Sequence, residues 1–314
     1  MKLFIELPTW LGDAIMTTPA IEAIIKHYPD AKITLFGSFV STEALKAHKN
    51  CLHVNVDHSK KSKCRFFWLY RTAKDLGDFD IAISFRSSFV SSFLLWFLKA
   101  KKKFHYKKNL YQGHQVEKYF QFIDNSLHVK SKPDALTLYQ NPYPFKKKTL
   151  GLNPGATYGS AKRWYPEEFA KVAVHFSNRY DIVILGGPTE IDIAKEVEET
   201  LKSLHVKNFT NLAGKTTITE LIEKIAGLSL FVTNDSGPMH IATAYKIPTV
   251  AIFGPTKYHE TSPWKNPNSY ILSHNLACAP CMKRVCPIKT HACMRDIKAE
   301  EVISLLEHHL SLDR

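Results

Sequence analysis

The chain has 314 residues, of which 45% are hydrophobic, and a formal net charge of +13. This length suits two α/β domains, and the apolar content excludes a disordered chain. No apolar run reaches the ~18 residues needed to span a bilayer, and the start of the sequence lacks the apolar core of a signal peptide. With six unevenly spread cysteines, the sequence predicts a folded, cytoplasmic protein with reduced thiols.

The predicted elements alternate between short apolar strands and helices, and the pattern restarts near residue 149. In the first half they are strand 2–7, helix 14–28, strand 32–37, helix 41–48 and strand 80–85. In the second half the predicted strands are 149–155, 181–187, 229–235 and 249–254, and the predicted helices are 166–178, 190–201, 218–227, 237–246 and 298–312. Such alternation is typical of parallel sheets covered on both faces.

The stretch QNPYPFKKKT (140–149) has two prolines and no apolar period, which predicts a linker. The sequence therefore predicts an α/β fold of two Rossmann-like, doubly wound domains, 1–145 and 146–314, facing a central cleft. The terminal helix is expected in the second domain and could pack back on the first. Ligands of such sheets bind beyond the carboxyl ends of the strands, so the turns after the strands are where functional residues are expected.

The positive charge is concentrated in the first half. Residues 1–150 contain 24 Lys/Arg and 12 Asp/Glu, a net charge of +12, whereas residues 151–314 contain 18 and 17, a net charge of +1. The excess lies in the runs 60–65, 99–108 and 146–148. A basic surface indicates a polyanionic partner, namely nucleic acid, an acidic membrane surface or a phosphorylated lipid. Ordinary solvated faces are the alternative.

The segment TNDSGPMH (233–240) lies between a predicted strand and a predicted helix. Ser236 stands at the N-cap, where its hydroxyl would accept a helix N–H. Gly237 permits close approach to the backbone, and the free N–H groups of the helix start favour a phosphate. His240 could add a donor, and Asp235 could anchor loop N–H groups or hold a divalent cation. An ordinary capped helix after a buried strand is the alternative.

Two other polar turns follow strands of the second half. In NPGATYGSAKRW, Thr157 is a polar loop residue, and Lys162 with Arg163 would clamp a phosphate. Surface charge beside a helix start is the alternative. In LGGPTEI, Glu190 would accept hydrogen bonds from ribose hydroxyls, or would complement the helix dipole.

The turn LPTWLGD in the basic half places Asp13 at the start of the first predicted helix. A carboxylate that faces the predicted cleft could take the proton from an attacking hydroxyl. N-capping of the helix by Asp13 is the alternative.

Taken together, three segments resemble the signature regions of the ADP-heptose:lipopolysaccharide heptosyltransferases, glycosyltransferase family 9. They are WLGDAIMTTPAI, NPGATYGSAKRWYPEEFA and TNDSGPMHIATAYKIPTVAIFGPT. Their order and spacing also match, and the resemblance covers about the whole chain. The tail HNLACAPCMKRVCPIKTHACMRDI is more similar to that of heptosyltransferases II than to that of heptosyltransferases I. The resemblance implies a GT-B fold, with the acceptor bound mainly by the first domain and the ADP-sugar mainly by the second.

The resemblance also implies residue roles. Asp13 matches the family's proposed general base, Lys162 the lysine on the donor phosphates, Thr157 a hydroxyl of the donor loop, and Glu190 the acid near the ribose. The residues that match the diphosphate turn are Asp235, Ser236, Gly237, Met239 and His240.

The implied reaction is inverting transfer of L-glycero-D-manno-heptose from ADP-heptose to the first heptose of the lipopolysaccharide or lipooligosaccharide inner core. No cofactor is required for it, although a divalent cation could assist. The basic half suits an anionic lipid A–Kdo–heptose acceptor at the inner leaflet, so peripheral association with the inner membrane is expected.

Four cysteines, Cys278, Cys281, Cys286 and Cys293, are spaced C-x2-C-x4-C-x6-C, with His274 and His291 nearby. This density suits a structural zinc site, but the spacing fits no standard zinc pattern closely. Reduced structural thiols or a disulfide are the alternatives.

Other functions fit the sequence less well. Heptosyltransferase I or another ADP-sugar transferase is the nearest alternative. A basic nucleic-acid-binding protein is a non-enzymatic one, but the lysine runs lack interleaved aromatic residues for base stacking. A dehydrogenase would need the G-x-G-x-x-G sequence after its first strand, and this is absent.

Overall fold

A computed structural model describes residues 1–312, which divide into two compact units. The first unit is Met1–Tyr139, and the second begins at Gln140. No helix within the described residues is both long and apolar enough to cross a bilayer.

The first unit is a five-stranded parallel sheet with helices in its connections. The strands lie in the order β3-β2-β1-β4-β5. Their bounds are β1 Lys2–Glu6, β2 Lys32–Gly37, β3 Cys51–Val56, β4 Asp78–Ser84 and β5 Lys99–His105. The helices are α1 Leu11–Met16, α2 Thr18–His27, α3 Phe39–Leu45, α4 Arg65–Asp75, α5 Phe89–Phe97 and α6 Gln115–Leu127.

The second unit is a six-stranded parallel sheet in the order β11-β10-β9-β6-β7-β8. Its strands are β6 Thr149–Asn153, β7 Asp181–Ile184, β8 Phe209–Asn211, β9 Leu230–Asn234, β10 Thr249–Ile252 and β11 Ser269–Leu272. Its helices are α7 Pro166–Phe176, α8 Ile191–Ser203, α9 Ile218–Ala226, α10 Gly237–Ala244, α11 Tyr258–Thr261, α12 Ala292–Arg295 and α13 Ala299–Leu312. The prediction of two doubly wound α/β domains is therefore confirmed.

The central strands are buried over nearly their whole length, as the continuous apolar runs predicted. Every residue of β6 and β9 is buried, and so are the four residues of β10. The core of the second unit also includes Trp164, whose indole N–H donates to the carbonyl of Ile297 at 3.0 Å. This bond satisfies the polar atom of a fully buried ring.

The first predicted helix, 14–28, is two helices in the structure, α1 and α2, which meet at Thr17. Pro19 has no N–H to donate to the carbonyl of Ile15, and the hydroxyl of Thr18 bonds this carbonyl instead, at 2.8 Å. A proline within a helical pattern removes one i→i−4 bond, and this explains why the single predicted helix is divided.

The predicted linker packs on the second unit, so the division falls six residues before the predicted boundary. The backbone N–H of Tyr143 donates to the carbonyl of Glu223 at 2.8 Å. The hydroxyl of Tyr245 donates to the backbone carbonyl of Gln140, also at 2.8 Å. The terminal helix α13 packs on α7 and β10, and its apolar side belongs to the core of the second unit.

Candidate functional site

The strand order places one topological switch point in each unit. In the first sheet the connections diverge between β1 and β4, and in the second between β6 and β9. Doubly wound sheets bind their ligands at the carboxyl ends of such strands. The turns after these four strands contain most of the residues that the sequence singled out.

In the second unit, Asn234 at the end of β9 holds the loop that follows β6. Its side-chain amide donates to the carbonyl of Pro154 at 2.8 Å and to that of Gly155 at 3.2 Å, and its Oδ1 accepts from the backbone N–H of Trp164 at 3.1 Å. The two ends of the loop are thus tied to one buried side chain. This arrangement fixes the backbone that carries Thr157 and Lys162.

Lys162 and Asp235 form a nearly buried ion pair. Lys162 Nζ lies 2.5 Å from Asp235 Oδ2, and the two side chains are 13% and 6% exposed. Lys162 Nζ also donates to the carbonyl oxygen of Asp235 at 3.2 Å, and Thr256 Oγ1 donates to Asp235 Oδ2 at 2.6 Å. Asp235 therefore anchors a lysine and a hydroxyl rather than the loop N–H groups. The structure thereby explains how a carboxylate fits into a predicted phosphate site.

The cation of Lys162 also lies over an aromatic ring, with its Nζ 4.9 Å from the centroid of Tyr158. Arg163 follows Lys162 directly, and its Nε is buried without a hydrogen-bond partner within residues 1–312. Lys162 thus lies at the carboxyl end of β9, and the phosphate clamp of Lys162 and Arg163 stays a prediction.

Glu190 lies in the turn after β7 and is 6% exposed. Its Oε2 accepts from the backbone N–H of Gly187 at 2.8 Å, and its Oε1 accepts from the hydroxyl of Thr157 at 3.2 Å. A Cβ on Gly155 would lie 2.3 Å from the carboxyl carbon of Glu190, so any larger residue would force this carboxyl group to move. In the structure, Glu190 joins two predicted donor loops, and its ribose contact stays a prediction.

The start of α10 is partly as predicted. Ser236 occupies the N-cap position, but its side chain makes no capping bond to the helix. The prediction of a hydroxyl cap is wrong, because Ser236 Oγ lies instead 3.2 Å from Asn153 Nδ2 and accepts from it. Gly237 begins the helix, and Met239 and His240 are buried, Met239 in a small cluster with apolar neighbours. The contacts of Met239 and His240 with the ADP-sugar stay a prediction.

In the first unit, Asp13 lies in the first turn of α1 after β1, at intermediate exposure. Trp10 is the N-cap residue of this helix, so the alternative of N-capping by Asp13 is wrong. The hydroxyl of Tyr119 donates to Asp13 Oδ1 at 3.4 Å. Burial, followed by the negative charge of Asp13, raises the pKa of Tyr119 well above its ordinary value. Tyr119 therefore stays a neutral donor to this carboxylate.

A buried charge network holds the turn that leads to Asp13. The guanidinium of Arg86 lies 3.3 Å from Glu6 and 3.1 Å from Asp57, and its Nε donates to the carbonyl of Leu7 at 2.7 Å. Complete burial raises the pKa of Glu6, although Arg86 and two serine hydroxyls act in the opposite direction. Burial would also raise the pKa of Asp57, but bonds from Ser59 and Arg86 lower it overall.

The four clustered cysteines line a single surface cavity together with His291. All are free thiols, and Cys293 is buried. Burial and the neighbouring Cys278, Cys281 and Cys286 raise the pKa of Cys293 to about 11.

The cysteine segment supports the loop that carries Lys162. His291 Nε2 lies 2.9 Å from the carbonyl oxygen of Ala161, and the N–H of Ala161 donates to the carbonyl of Arg284 at 3.0 Å. The hydroxyl of Tyr158 donates to the carbonyl of Met282 at 2.9 Å. Within residues 1–312, no group of three or more His, Cys, Asp or Glu side chains is arranged to hold a metal ion. The geometry thus adds no support for zinc, which stays a prediction.

Sequence patterns did not identify three residues that build these sites: Asn234, Thr256 and Tyr119. Each of them forms a hydrogen bond with a residue at least 21 positions away along the chain. The only sequence signal was the polar residue at the end of an apolar strand, which Asn234 provides.

The whole chain shares its fold with solved glycosyltransferases. Escherichia coli ADP-heptose lipopolysaccharide heptosyltransferase II aligns over 100% of this chain and 99% of its own, with a TM-score of 0.80 at 20% identity. A glycosyltransferase family 9 protein from Veillonella parvula aligns over 100% and 98%, with a TM-score of 0.86 at 22% identity. The predicted GT-B fold is thereby confirmed.

The sequence is similar to curated heptosyltransferases. Lipooligosaccharide heptosyltransferase 2 of Campylobacter jejuni is 46% identical over 312 aligned residues, which cover 96% of this chain and 96% of the relative. Lipooligosaccharide heptosyltransferase 2 of Haemophilus influenzae is 26% identical over 84% of this chain and 86% of its own. The sequence profile of "Glycosyltransferase family 9 (heptosyltransferase)" matches residues 69–292. The chain, an enzyme by this relationship, therefore belongs to glycosyltransferase family 9.

Proposed function

We propose that this enzyme transfers L-glycero-D-manno-heptose from ADP-heptose to the first heptose of the lipooligosaccharide inner core, with inversion at the anomeric carbon. The observation that carries the proposal is the 46% identity with the Campylobacter jejuni lipooligosaccharide heptosyltransferase 2, which extends over 96% of both chains.

The second unit would bind the donor. The diphosphate of ADP-heptose would lie at the start of α10, where the helix dipole favours an anion. Lys162, which a nearly buried carboxylate holds in place, would contact the phosphate oxygens. Glu190 would accept hydrogen bonds from the ribose hydroxyls, and Thr157, which donates to Glu190 at 3.2 Å, would supply the hydroxyl of the donor loop.

Asp13 would act as the general base on the acceptor. It would take the proton from the acceptor hydroxyl as the oxygen of that hydroxyl attacks the anomeric carbon. The bond from this carbon to the diphosphate oxygen would break, and ADP would leave with the bonding electron pair. A single displacement needs one base and a stabilised leaving group, and it gives inversion. The Tyr119 hydroxyl, a neutral donor at 3.4 Å, would orient the carboxylate.

The proposed reaction needs no cofactor. The partners of Asp235 favour charge neutralisation by protein side chains, because its Oδ2 already accepts from Lys162 and Thr256. Lys162 and the helix dipole would face the negative charge that grows on the departing diphosphate. Metal dependence of turnover is a separate measurement, and the displacement chemistry is the same with or without a cation.

The experiment is a transfer assay with a truncated inner-core acceptor that ends at the first heptose. We expect the mass of the acceptor to rise by one heptose residue with ADP-heptose, and not with UDP-glucose. The control acceptor ends at Kdo and has no heptose, so its modification would indicate a heptosyltransferase I. No mass change of either acceptor with ADP-heptose would contradict the proposal.

A further inference from the structure

Helices α4 and α5 of the first unit carry large aromatic side chains that the fold leaves exposed. We call these residues the aromatic face: Phe66, Phe67, Tyr70, Phe89 and Trp96. Phe89 and Trp96 are 74% and 78% exposed, the highest values of any large apolar side chain within residues 1–312. Exposed apolar groups of this size, when clustered, mark an interaction surface rather than the normal scatter of a protein exterior.

Ring contacts join the two helices at the aromatic face. The Phe66 ring centroid lies 6.1 Å from that of Phe89 and 4.9 Å from that of Phe93. Tyr70 on α4 meets Phe97 on α5 in the same way, with the ring centroids 5.0 Å apart. The helices thus present one apolar ridge instead of separate hydrophobic spots.

The same helices already have an apolar side that faces the core. Leu69 and Ala73 of α4 are buried, as are Leu94 and Leu95 of α5, in one cluster with Phe4 of β1. The aromatic face is therefore additional to what the fold of this unit requires. A partner that covers the aromatic face would remove its exposed apolar area from water.

Positive charge surrounds the aromatic face. Residues 60–74 contain six Lys/Arg and no Asp/Glu. Residues 99–108 contain six Lys, two of which form ion pairs with aspartates of β4. Lys61, Lys63 and Arg71 are exposed. Lys103 of β5 donates to the backbone carbonyl of Trp96 at 3.0 Å, which places a lysine of the second run directly against the aromatic face.

We propose that the aromatic face and its surrounding cations dock on the surface of an anionic lipid bilayer. The rings would enter the headgroup region, where Trp and other aromatic side chains are favoured. Lys and Arg would pair with lipid phosphates, each adding attraction that salt screens. The role of this docking surface rests on the proposed function, since it is the surface at which the enzyme would meet a lipid-linked acceptor.

The geometry favours a bilayer over a single-stranded nucleic acid. The rings on this ridge pack largely edge to face, with interplanar angles of 69° for Phe66 with Phe89 and 87° for Tyr70 with Phe97. Base stacking needs a series of free ring faces along a groove. A ridge of mutually packed rings suits the headgroup region of a bilayer instead, because insertion there needs no regularly spaced ring faces.

The test is co-sedimentation with lipid vesicles that contain no acceptor, so its outcome is independent of catalysis. One set of vesicles is phosphatidylcholine alone, and the other is an equal mixture of phosphatidylcholine and phosphatidylglycerol. We expect binding to the mixed vesicles, and we expect it to weaken as salt rises. The double variant Phe89→Ser/Trp96→Ser should bind at least about tenfold more weakly, since two large apolar side chains are lost from the contact.

The matched control is Leu204→Ser, which removes a 49% exposed apolar side chain from the second unit and should bind like the wild type. Because the substituted side chains are exposed, all three proteins should unfold at the same temperature. The double variant should also keep its turnover with a soluble, delipidated acceptor, so failure of the docking surface and failure of the proposed function are distinguishable. Three results would overturn the proposal. The wild-type protein could fail to bind anionic vesicles, the double variant could bind them as well as the wild type, or these residues could bind single-stranded RNA in place of vesicles.

Discussion

At the scale of single residues, the ion pair of Lys162 and Asp235 explains why a carboxylate stands where an anionic ligand is expected. Asp235 is buried, and its Oδ2 is held by Lys162 and Thr256. The pair positions the lysine head group at the end of β9. Removal of one partner from a buried pair leaves an uncompensated charge and costs about 3–5 kcal/mol.

We therefore expect Lys162→Met to lose both stability and donor affinity. The melting temperature should fall because Asp235 stays buried without its cation. The Kd for ADP should rise by roughly tenfold to a hundredfold, the effect of a lost hydrogen bond to a charged group. Calorimetric unfolding and titration with ADP measure the two effects.

The double variant Lys162→Met/Asp235→Asn separates these effects. It should recover much of the lost stability, because no charge is then left buried, while its ADP affinity stays low. Lys171→Met is the control, since its partner Glu168 forms a pair in which the lysine is exposed. An unchanged ADP affinity in Lys162→Met would remove Lys162 from the phosphate site.

For Asp13, the expected result is a loss of turnover without a loss of donor binding. Asp13→Asn keeps the shape of the side chain but cannot accept a proton. Its kcat should fall by ~10²–10⁴-fold, while its Kd for ADP-heptose stays within experimental error. Asp134→Asn, which alters an exposed acid of the same unit, should leave kcat unchanged. An Asp13→Asn enzyme that keeps most of its turnover would show that another group takes the proton.

At the scale of elements, the loop after β6 depends on close backbone approaches that few side chains would permit. Gly155 contacts Glu190, and Gly159 lies against the backbone of Arg284 in the cysteine segment. The loop that carries Lys162 is therefore shaped by packing from both sides. The donor site is supported as a unit rather than residue by residue.

Gly155→Ala should displace Glu190 and disturb this loop. The added Cβ would lie 2.3 Å from the Glu190 carboxyl carbon, so the side chain must move and its bond to Thr157 should be lost. We expect a destabilisation of about 1–3 kcal/mol and a raised KM for the donor. Gly187→Ala is the matched control, since its Cβ would meet Glu190 only at 3.7 Å. Equal effects of the two variants on KM would contradict the proposed role of Gly155 in the loop.

The surroundings of Cys286 and Cys293 predict that the two thiols differ in reactivity. A backbone hydrogen bond from His291, at 3.4 Å, lowers the pKa of Cys286, whereas the pKa of Cys293 is raised to about 11. A lower pKa gives a larger thiolate fraction near neutral pH, and the thiolate is the reactive form. Brief treatment with iodoacetamide should thus modify Cys286 well before Cys293, as peptide mass spectrometry would measure.

The same experiment tests the zinc hypothesis. If the four cysteines held a metal, all of them should resist alkylation until a chelator is added. If they are free thiols, a chelator should leave the order and the rates unchanged. Faster modification of Cys293 than of Cys286 would contradict a lower pKa at Cys286.

At the scale of the whole molecule, the strand orders explain which parts of the fold the sequence could predict. The central strands are continuous apolar runs because both faces of each sheet are covered. The strands β3 and β5 lie at the edges of the first sheet and contain no buried residue. His53 and Asn55 interrupt the apolar residues of β3, and β5 contains four lysines, so neither strand is a continuous apolar run. The lysines of β5 were predicted only as a basic surface.

The candidate site was predictable to a similar extent. Turns after central strands identified Asp13, Lys162, Glu190 and Asp235, because a polar residue at the end of a buried strand is conspicuous. The residues that support them were not predictable, since Thr256 reaches Asp235, and Asn234 reaches the loop after β6, only in the folded sheet. Long-range pairing of this kind depends on strand order, which local sequence does not encode.

Direct displacement of ADP from ADP-heptose by an acceptor hydroxyl would invert the anomeric carbon. NMR of the product formed from ADP-heptose and an acceptor that ends at the first heptose would assign the anomeric configuration of the new linkage. We predict one added heptose, release of ADP and a configuration opposite to that of the donor. Retention of the donor configuration, or no transfer from ADP-heptose at all, would contradict direct displacement.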